Sequence, residues 1–318
     1  MAEEDIRAPG TPFSLSFSGS GFLVLYQVGV VQSLLELAPE LLRSACKVYG
    51  SSAGSLIAAA VVCGTNLGKR IIEYFFESAR EVRKTILGPL SPKCSLLRNI
   101  RSLLQRTLPE NSHQVASGRL HISLTRVVDG QNVMVSEFNS KEDLIQALLC
   151  SCFLPIYCGF IPPSYRGVRY VDGGFTGLQP VSSLEEAVIT VSPFTGELDI
   201  CPRDCPAIFY CFQIFNGSIQ ISIENLCRIS YALFPPSCVI LDDMYFQGYQ
   251  DTALFLCRNG KFSLRQKRQP KVEPAAWQHR PDTATPPRTS ALSFCARRCL
   301  WHKLLRWQLP LCQHVWEN

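Results

Sequence analysis

The pentapeptide Gly50-Ser51-Ser52-Ala53-Gly54 constrains this chain more than any other stretch. It lies between the apolar Val48-Tyr49 and the small-residue run Ser55-Leu56-Ile57-Ala58-Ala59-Ala60-Val61-Val62. G-x-S-x-G sets a serine on a sharp turn from strand to helix, where bulky neighbours would clash and glycines do not. The helix that follows aims its N-terminal amides and positive dipole end at the same point. Alone, the pentapeptide also fits a glycine-rich helix start packed on a sheet. The flanks favour the nucleophile: an apolar run suits a buried strand, and an Ala-rich run suits a close-packed helix.

The 318 residues are 47% hydrophobic, enough for a large core in one large domain or two. Charge is unevenly placed. Residues 261–318 hold 11 Lys and Arg against 3 Asp and Glu, so the tail carries +8 and the remainder −3. All four tryptophans, Trp277, Trp301, Trp307 and Trp316, lie in that tail. The expected organisation is a disordered N-terminus over 1–12, a catalytic core over 13–185, the C-terminal part of the same globular unit over 186–260, and a poorly ordered basic tail over 261–318. Within the tail, 291–309 alternatively reads as a basic amphipathic helix lying on a membrane. The body is nearly neutral, and no nucleic-acid partner is expected.

Met1-Ala2-Glu3-Glu4-Asp5 is acidic where a secretory leader would be basic, so no leader is expected. The most apolar stretches, 22–35 and 56–63, are too short to span a bilayer. The fifteen cysteines are odd in number and scattered through apolar segments such as Leu149-Cys150-Ser151-Cys152-Phe153, as reduced core thiols are. Cys201 with Cys205, and Cys295 with Cys299, lack a second pair or a histidine at zinc spacing. No metal and no cofactor are expected.

Strands are expected over 13–17, 46–49, 120–125, 133–138, 168–171 and 187–191, and helices over 22–37, 53–63, 66–85, 94–107 and 140–150. Ser140 and Asp143 make a capping box for the last of these. Pro39 ends the first helix, 88–92 is a break, and 205–260 reads as mainly helical, interrupted by Phe234-Pro235-Pro236. Strands alternating with helices predict an α/β fold with a mainly parallel sheet covered on both faces.

Two further pieces must join Ser52 for catalysis. Gly19-Ser20-Gly21 follows the first strand and opens a helix, where backbone amides can converge on an oxyanion. A nucleotide-binding turn fits there too, but Val24 stands where the dinucleotide fingerprint wants its third glycine. The base is the other piece. Of the five histidines, His113 and His121 precede Asp172, while His279, His302 and His314 fall in the tail. A histidine triad would have to recruit one of those. Asp172 ends a strand and is followed by Gly173-Gly174, so its carboxylate can face a cleft, although an ordinary Asp-Gly turn reads the same way. Burial would raise its pKa and make it a better base for a hydroxyl.

In that order, Ser18-Gly19-Ser20-Gly21-Phe22-Leu23, Gly50-Ser51-Ser52-Ala53-Gly54 and Asp172-Gly173-Gly174 resemble the patatin-like phospholipase family. Phe153-Leu154-Pro155-Ile156-Tyr157-Cys158-Gly159 and Val191-Ser192-Pro193-Phe194 resemble its animal subgroup, that of adipose triglyceride lipase, adiponutrin and the omega-hydroxyceramide transacylase. Asp199-Ile200-Cys201-Pro202-Arg203-Asp204-Cys205-Pro206 and Ala232-Leu233-Phe234-Pro235-Pro236 look closest to the last. The likeness runs from about 13 to 257. It implies a patatin-like three-layer α/β/α sandwich and a Ser–Asp dyad, with Ser52 as nucleophile, Asp172 as base and the amides of Gly19, Ser20 and Gly21 as oxyanion hole. Gly50 and Gly54 flank the nucleophile elbow. It implies fatty acyl esters of neutral lipids as substrates, by triacylglycerol hydrolysis or by acyl transfer to a lipid hydroxyl such as that of ω-hydroxyceramide. It also implies a cytoplasmic location at lipid droplets or the cytosolic face of membranes, and an α/β-hydrolase-like coactivator as partner. Val24 departs from the family's glycine pattern. The tail departs from the family's longer C-terminal region and reads as a truncated or alternative end. A non-catalytic droplet protein that sequesters a coactivator is the competing reading.

Overall fold

The computed structural model describes residues 12–64, 67–84, 96–181, 187–204, 211–214 and 217–259. All belong to the first of the chain's two compact units, which ends at Arg265. The expected disordered N-terminus, the break at 88–92, Cys205, the Cys295–Cys299 pair and the basic tail with its tryptophans lie outside the described residues.

The chain begins with β1 (Ser14–Phe17), a 3-10 turn (Gly21–Leu23) and α1 (Val24–Leu37). Pro39 does end α1, and it also starts α2 (Pro39–Ser44), because a proline at the first helical position lacks only an amide the helix would leave unpaired. β2 (Lys47–Ser51) and α3 (Ala53–Cys63) follow, then α4 (Leu67–Arg83), α5 (Leu96–Thr107), α6 (Ser112–Ala116), β3 (Leu120–Arg126), β4 (Asn132–Val135) and α7 (Lys141–Ser151). Ser140 caps α7 by accepting from the Asp143 amide, and the Asp143 carboxylate accepts from the Asn139 amide. The chain continues through β5 (Ser164–Tyr165), β6 (Val168–Asp172), a 3-10 turn (Gly173–Phe175) and β7 (Val188–Val191).

Residues 205–260 are mainly helical as expected, with α8 (Ile223–Leu233) and α9 (Cys238–Arg258) separated at Phe234-Pro235-Pro236, but β8 (Cys211–Ile214) and β9 (Gly217–Gln220) form an antiparallel hairpin ahead of them that the sequence does not show. Four-residue strands are too short to show a period that separates them from a helix turn.

β1 pairs in parallel with β2 and β7, and β2 with β3. All four residues of β1 and the last four of β2 are buried, so both faces of these central strands are covered, as an α/β layering requires. β4, β5 and β6 join antiparallel, making the sheet mixed. Their register fixes the geometry of the site. Ile122 and Ser123 face Val135 and Met134 of β4 on one side and Gly50 and Ser51 of β2 on the other. Leu124 and Thr125 face Val133 and Asn132 of β4 on that same side, and Asp172 and Val171 of β6 on the other. Thus β2 and β6 share one edge of β3, end to end, each pointing at the other.

α1 and α9 pack backbone to backbone. A Cβ on Gly29 would lie 2.0 Å from the Tyr245 carbonyl oxygen, and one on Gly248 would lie 2.0 Å from that of Tyr26. Tyr26 then donates to Asp251 at 2.8 Å, so the last described helix is tied to the first.

Candidate active site

β2 delivers Ser52 to the point where β6 delivers Asp172. Ser52 has φ 53° and ψ −133°, a left-handed turn that costs a non-glycine residue about 1–3 kcal/mol. The turn is possible because nothing crowds it. A Cβ on Gly50 would meet Ser55 Cα at 2.5 Å, and one on Gly54 would meet the Ser18 carbonyl oxygen at 2.3 Å. The two glycines therefore let α3 descend onto β2 and press against the end of β1. Ser55 Oγ donates to the Ser52 carbonyl oxygen at 2.6 Å and closes the turn.

Ser52 Oγ donates to Asp172 Oδ2 at 2.5 Å. The other carboxylate oxygen, Oδ1, accepts from the Gly174 amide at 2.7 Å. Gly173 allows this bend, because a Cβ there would lie 2.2 Å from the Ser123 carbonyl oxygen. The Asp172 backbone is pinned as well: its amide donates to the Phe153 carbonyl oxygen at 2.9 Å, and its carbonyl oxygen accepts from Thr125 Oγ1 at 2.9 Å. Asp172 is buried while Ser52 is half-buried, so the hydroxyl can be reached and the carboxylate is shielded. Burial pushes the Asp172 carboxyl up to about 6, against the opposing hydrogen bonds from Ser52 and the Gly174 amide.

The glycine turn stands beside Ser52: a Cβ on Gly19 would lie 3.5 Å from Ser52 Cβ. Of the three amides expected to converge, that of Gly19 donates to the Leu178 carbonyl oxygen at 2.8 Å. The amides of Ser20 and Gly21 meet no acceptor among the described residues. Gly21 has φ +52°, and a Cβ there would lie 2.2 Å from the Ala232 carbonyl oxygen in α8. Val24 is fully buried at the start of α1, where its amide donates to the Gly21 carbonyl oxygen. Neither described histidine joins the Ser52–Asp172 pair. His121 packs its ring 4.7 Å from that of Tyr49, and His113 lies in α6. His279, His302 and His314 are outside the described residues.

Two positioning residues escaped the sequence reading. Ser151, at the end of α7, accepts from the Ser52 amide at 3.0 Å and donates to the Ser123 carbonyl oxygen at 2.8 Å. It ties the elbow to β3. Gln27, fully buried in α1, donates to the Ser18 carbonyl oxygen at 2.8 Å and pairs with Ser20 Oγ at 3.2 Å, so it clamps the glycine turn. Each is a single polar residue inside an apolar run, which is the signal that could have found it.

A profile of the family described as patatin-like phospholipase matches residues 15–184, a span that contains the elbow, the glycine turn and Asp172. Omega-hydroxyceramide transacylase of Homo sapiens is 55% identical over 250 residues, covering 79% of this chain and 47% of that protein. Patatin-like phospholipase domain-containing protein 2 of Homo sapiens is 52% identical over 248 residues, covering 78% and 49%. The 1-acylglycerol-3-phosphate O-acyltransferase Pnpla3 of Mus musculus is 47% identical over 252 residues, covering 79% and 60%. The chain spans about half the length of the curated relatives it matches.

Proposed function

The chain belongs to the patatin-like phospholipase family, and from that premise we propose that it is a serine lipid acyl hydrolase or transacylase acting through Ser52 and Asp172. The observation that carries this reading is the 2.5 Å bond between Ser52 Oγ and the buried Asp172 carboxylate, on a strained turn beside the glycine turn. Asp172 Oδ2 takes the hydroxyl proton as Ser52 Oγ attacks the ester carbonyl carbon. The carbonyl π pair moves to oxygen, and the resulting oxyanion sits near the Ser20 and Gly21 amides. Collapse breaks the ester C–O bond, and Asp172 returns the proton to the leaving alkoxide. Water or a lipid hydroxyl then attacks the acyl-serine and gives its own proton to Asp172; the second collapse breaks the bond between the acyl carbon and Ser52 Oγ, and Asp172 returns that proton to Ser52 Oγ. A carboxyl near 6 is ionised at neutral pH and still basic enough to share in these transfers.

The substrates are fatty acyl esters of lipids, supported by the names of the transacylase, phospholipase and acyltransferase relatives, and the narrower choice of neutral lipids rests on the family resemblance. Placement at lipid droplets or on the cytosolic face of membranes, and an α/β-hydrolase-like coactivator, rest on the family resemblance alone. No helix among the described residues is long and apolar enough to cross a membrane. The test is labelling of the purified chain with a fluorophosphonate probe, beside triglyceride turnover with and without ω-hydroxyceramide. Ser52→Ala should lose labelling, release and transfer together. Equal turnover by the variant would remove Ser52 from the reaction, and absent labelling of the native chain would favour the non-catalytic coactivator-binding alternative.

A further inference from the structure

Two proline-based prongs of apolar residues stand beside the site, and neither is used by the dyad. The first is the loop after α7, closed by hydrogen bonds from the Cys158 amide to the Leu154 carbonyl oxygen and from the Ile156 amide to that of Gly159, each 2.9 Å. Its tip is bare: Phe160 is 84% exposed and Ile161 75%. The second is the end of α8, where Phe234 is 50% exposed ahead of Pro235-Pro236. The rings of Tyr157 and Phe234 lie 6.1 Å apart and join the two. Both prongs are rooted in the site. The Phe153 carbonyl oxygen holds the Asp172 amide at the foot of the first, and the Ala232 carbonyl oxygen abuts Gly21 at the foot of the second.

Each prong also carries a cation at its base. Arg169 Nη1 donates to the Pro162 carbonyl oxygen at 3.2 Å, and Arg83 Nη1 donates to that of Pro235 at 3.4 Å. Both side chains belong to exposed residues. Bare aromatic and aliphatic tips with guanidinium groups behind them match a lipid surface, with its acyl boundary beneath a layer of phosphates. Exposed apolar groups gathered at a site mouth are uncommon on proteins that meet only water.

We propose that the 156–161 loop and the 233–236 turn are the surface by which this protein seats its active-site mouth on lipid. Phe160, Ile161 and Phe234 enter the acyl boundary, and Arg169 and Arg83 face headgroup phosphates. The inference rests on the lipid-ester reading for its purpose, but its binding arm does not depend on catalysis. The 318-residue chain is sedimented with vesicles of phosphatidylcholine, or of phosphatidylcholine with phosphatidylserine. Its activity is measured on triolein emulsion and on a soluble short-chain ester. F160S/I161S should lower binding to both vesicles and the emulsion rate by roughly tenfold or more. Its soluble-ester rate and fluorophosphonate labelling should match the native chain. F160W, which keeps an apolar tip, should bind as the native chain does. R83Q and R169Q should each cost roughly fivefold on the phosphatidylserine vesicles and little on the others. Unchanged vesicle binding by F160S/I161S overturns the proposal, as does equal loss by F160W or a parallel loss of probe labelling. If the native chain turns over neither substrate, the lipid-ester reading has failed, while vesicle binding still decides the docking surface.

Discussion

Strands β7, β1, β2 and β3 run one way, whereas β4 and β6 run against β3. The parallel set holds Ser52 and the glycine turn at its C-terminal ends, where α/β sheets gather ligands. Asp172, the proposed base, arrives from the opposite direction. Had Asp172 stood on the next parallel strand, it would lie about 4.8 Å to the side per strand crossed. Because β6 runs back along the same edge of β3 that β2 occupies, the strand ends abut, and Asp172 lies in line with Ser52. The parallel half sets the proposed nucleophile, Ser52, on a strained turn, and the antiparallel edge brings the shielded Asp172 carboxylate to meet it.

Breaking either end should cost most. Ser52→Ala should reduce ester turnover to background, and Asp172→Asn should lower it by roughly 10²–10⁴-fold, both read from initial rates. Shifting the strand ends comes next. Gly54→Ala drives a Cβ at the Ser18 carbonyl oxygen of the parallel half, and Gly173→Ala drives one at the Ser123 carbonyl oxygen across from the antiparallel edge. Each should destabilise by about 1–3 kcal/mol, seen as a lower Tm in thermal unfolding. Ser151→Ala and Gln27→Leu disturb the clamps while leaving the dyad's own atoms in place. Each should cost roughly tenfold in kcat with a smaller change in KM.

The smallest effect sharpens the comparison through pH. Burial raises the Asp172 carboxyl from its ordinary value to about 6, so the folded chain holds that proton more tightly than the unfolded chain. The neutral form is therefore the stabilising one. Its contribution is full at acid pH below the unfolded pKa and is lost as pH rises through about 6. Asp172→Asn should accordingly raise Tm relative to the native chain at pH 8 by more than it does at pH 4. Activity needs the opposite form, so the native rate should fall on the acid side with a midpoint near 6. Asp251, also pushed up to about 6 by burial, contributes to the stability curve but not to the rate.

What the amino-acid order reveals follows the same division. Buried parallel strands write themselves as apolar runs bounded by glycines, so β1, β2, α3 and the two glycine turns are legible from Phe13-Ser14-Leu15-Ser16-Phe17 and Val48 to Val62. Strand direction leaves no such mark. Val168-Arg169-Tyr170-Val171 reads as a strand ending at Asp172, but nothing in it says that it runs against β3. The β8–β9 hairpin is hidden because four residues carry too little periodicity. Ser151 and Gln27 are hidden because the partners they hold, the Ser52 amide and the Ser18 carbonyl oxygen, are backbone atoms distant in the chain. Any polar residue that satisfied them would look like an interruption of an apolar run. The Gly19 amide was expected in the oxyanion hole from its place in the turn, and only the fold reveals the Leu178 carbonyl oxygen that occupies it.

The rate of fluorophosphonate labelling at Ser52, followed from pH 5 to pH 8 in the native chain and in Asp172→Asn, tests most directly whether the two strand ends act as one chemical unit. Labelling in the native chain should rise through a midpoint near 6, and in the variant it should be at least roughly a hundredfold slower with no such midpoint. A variant labelled at the native rate, with the same pH curve, would contradict the assignment of Asp172 as the base.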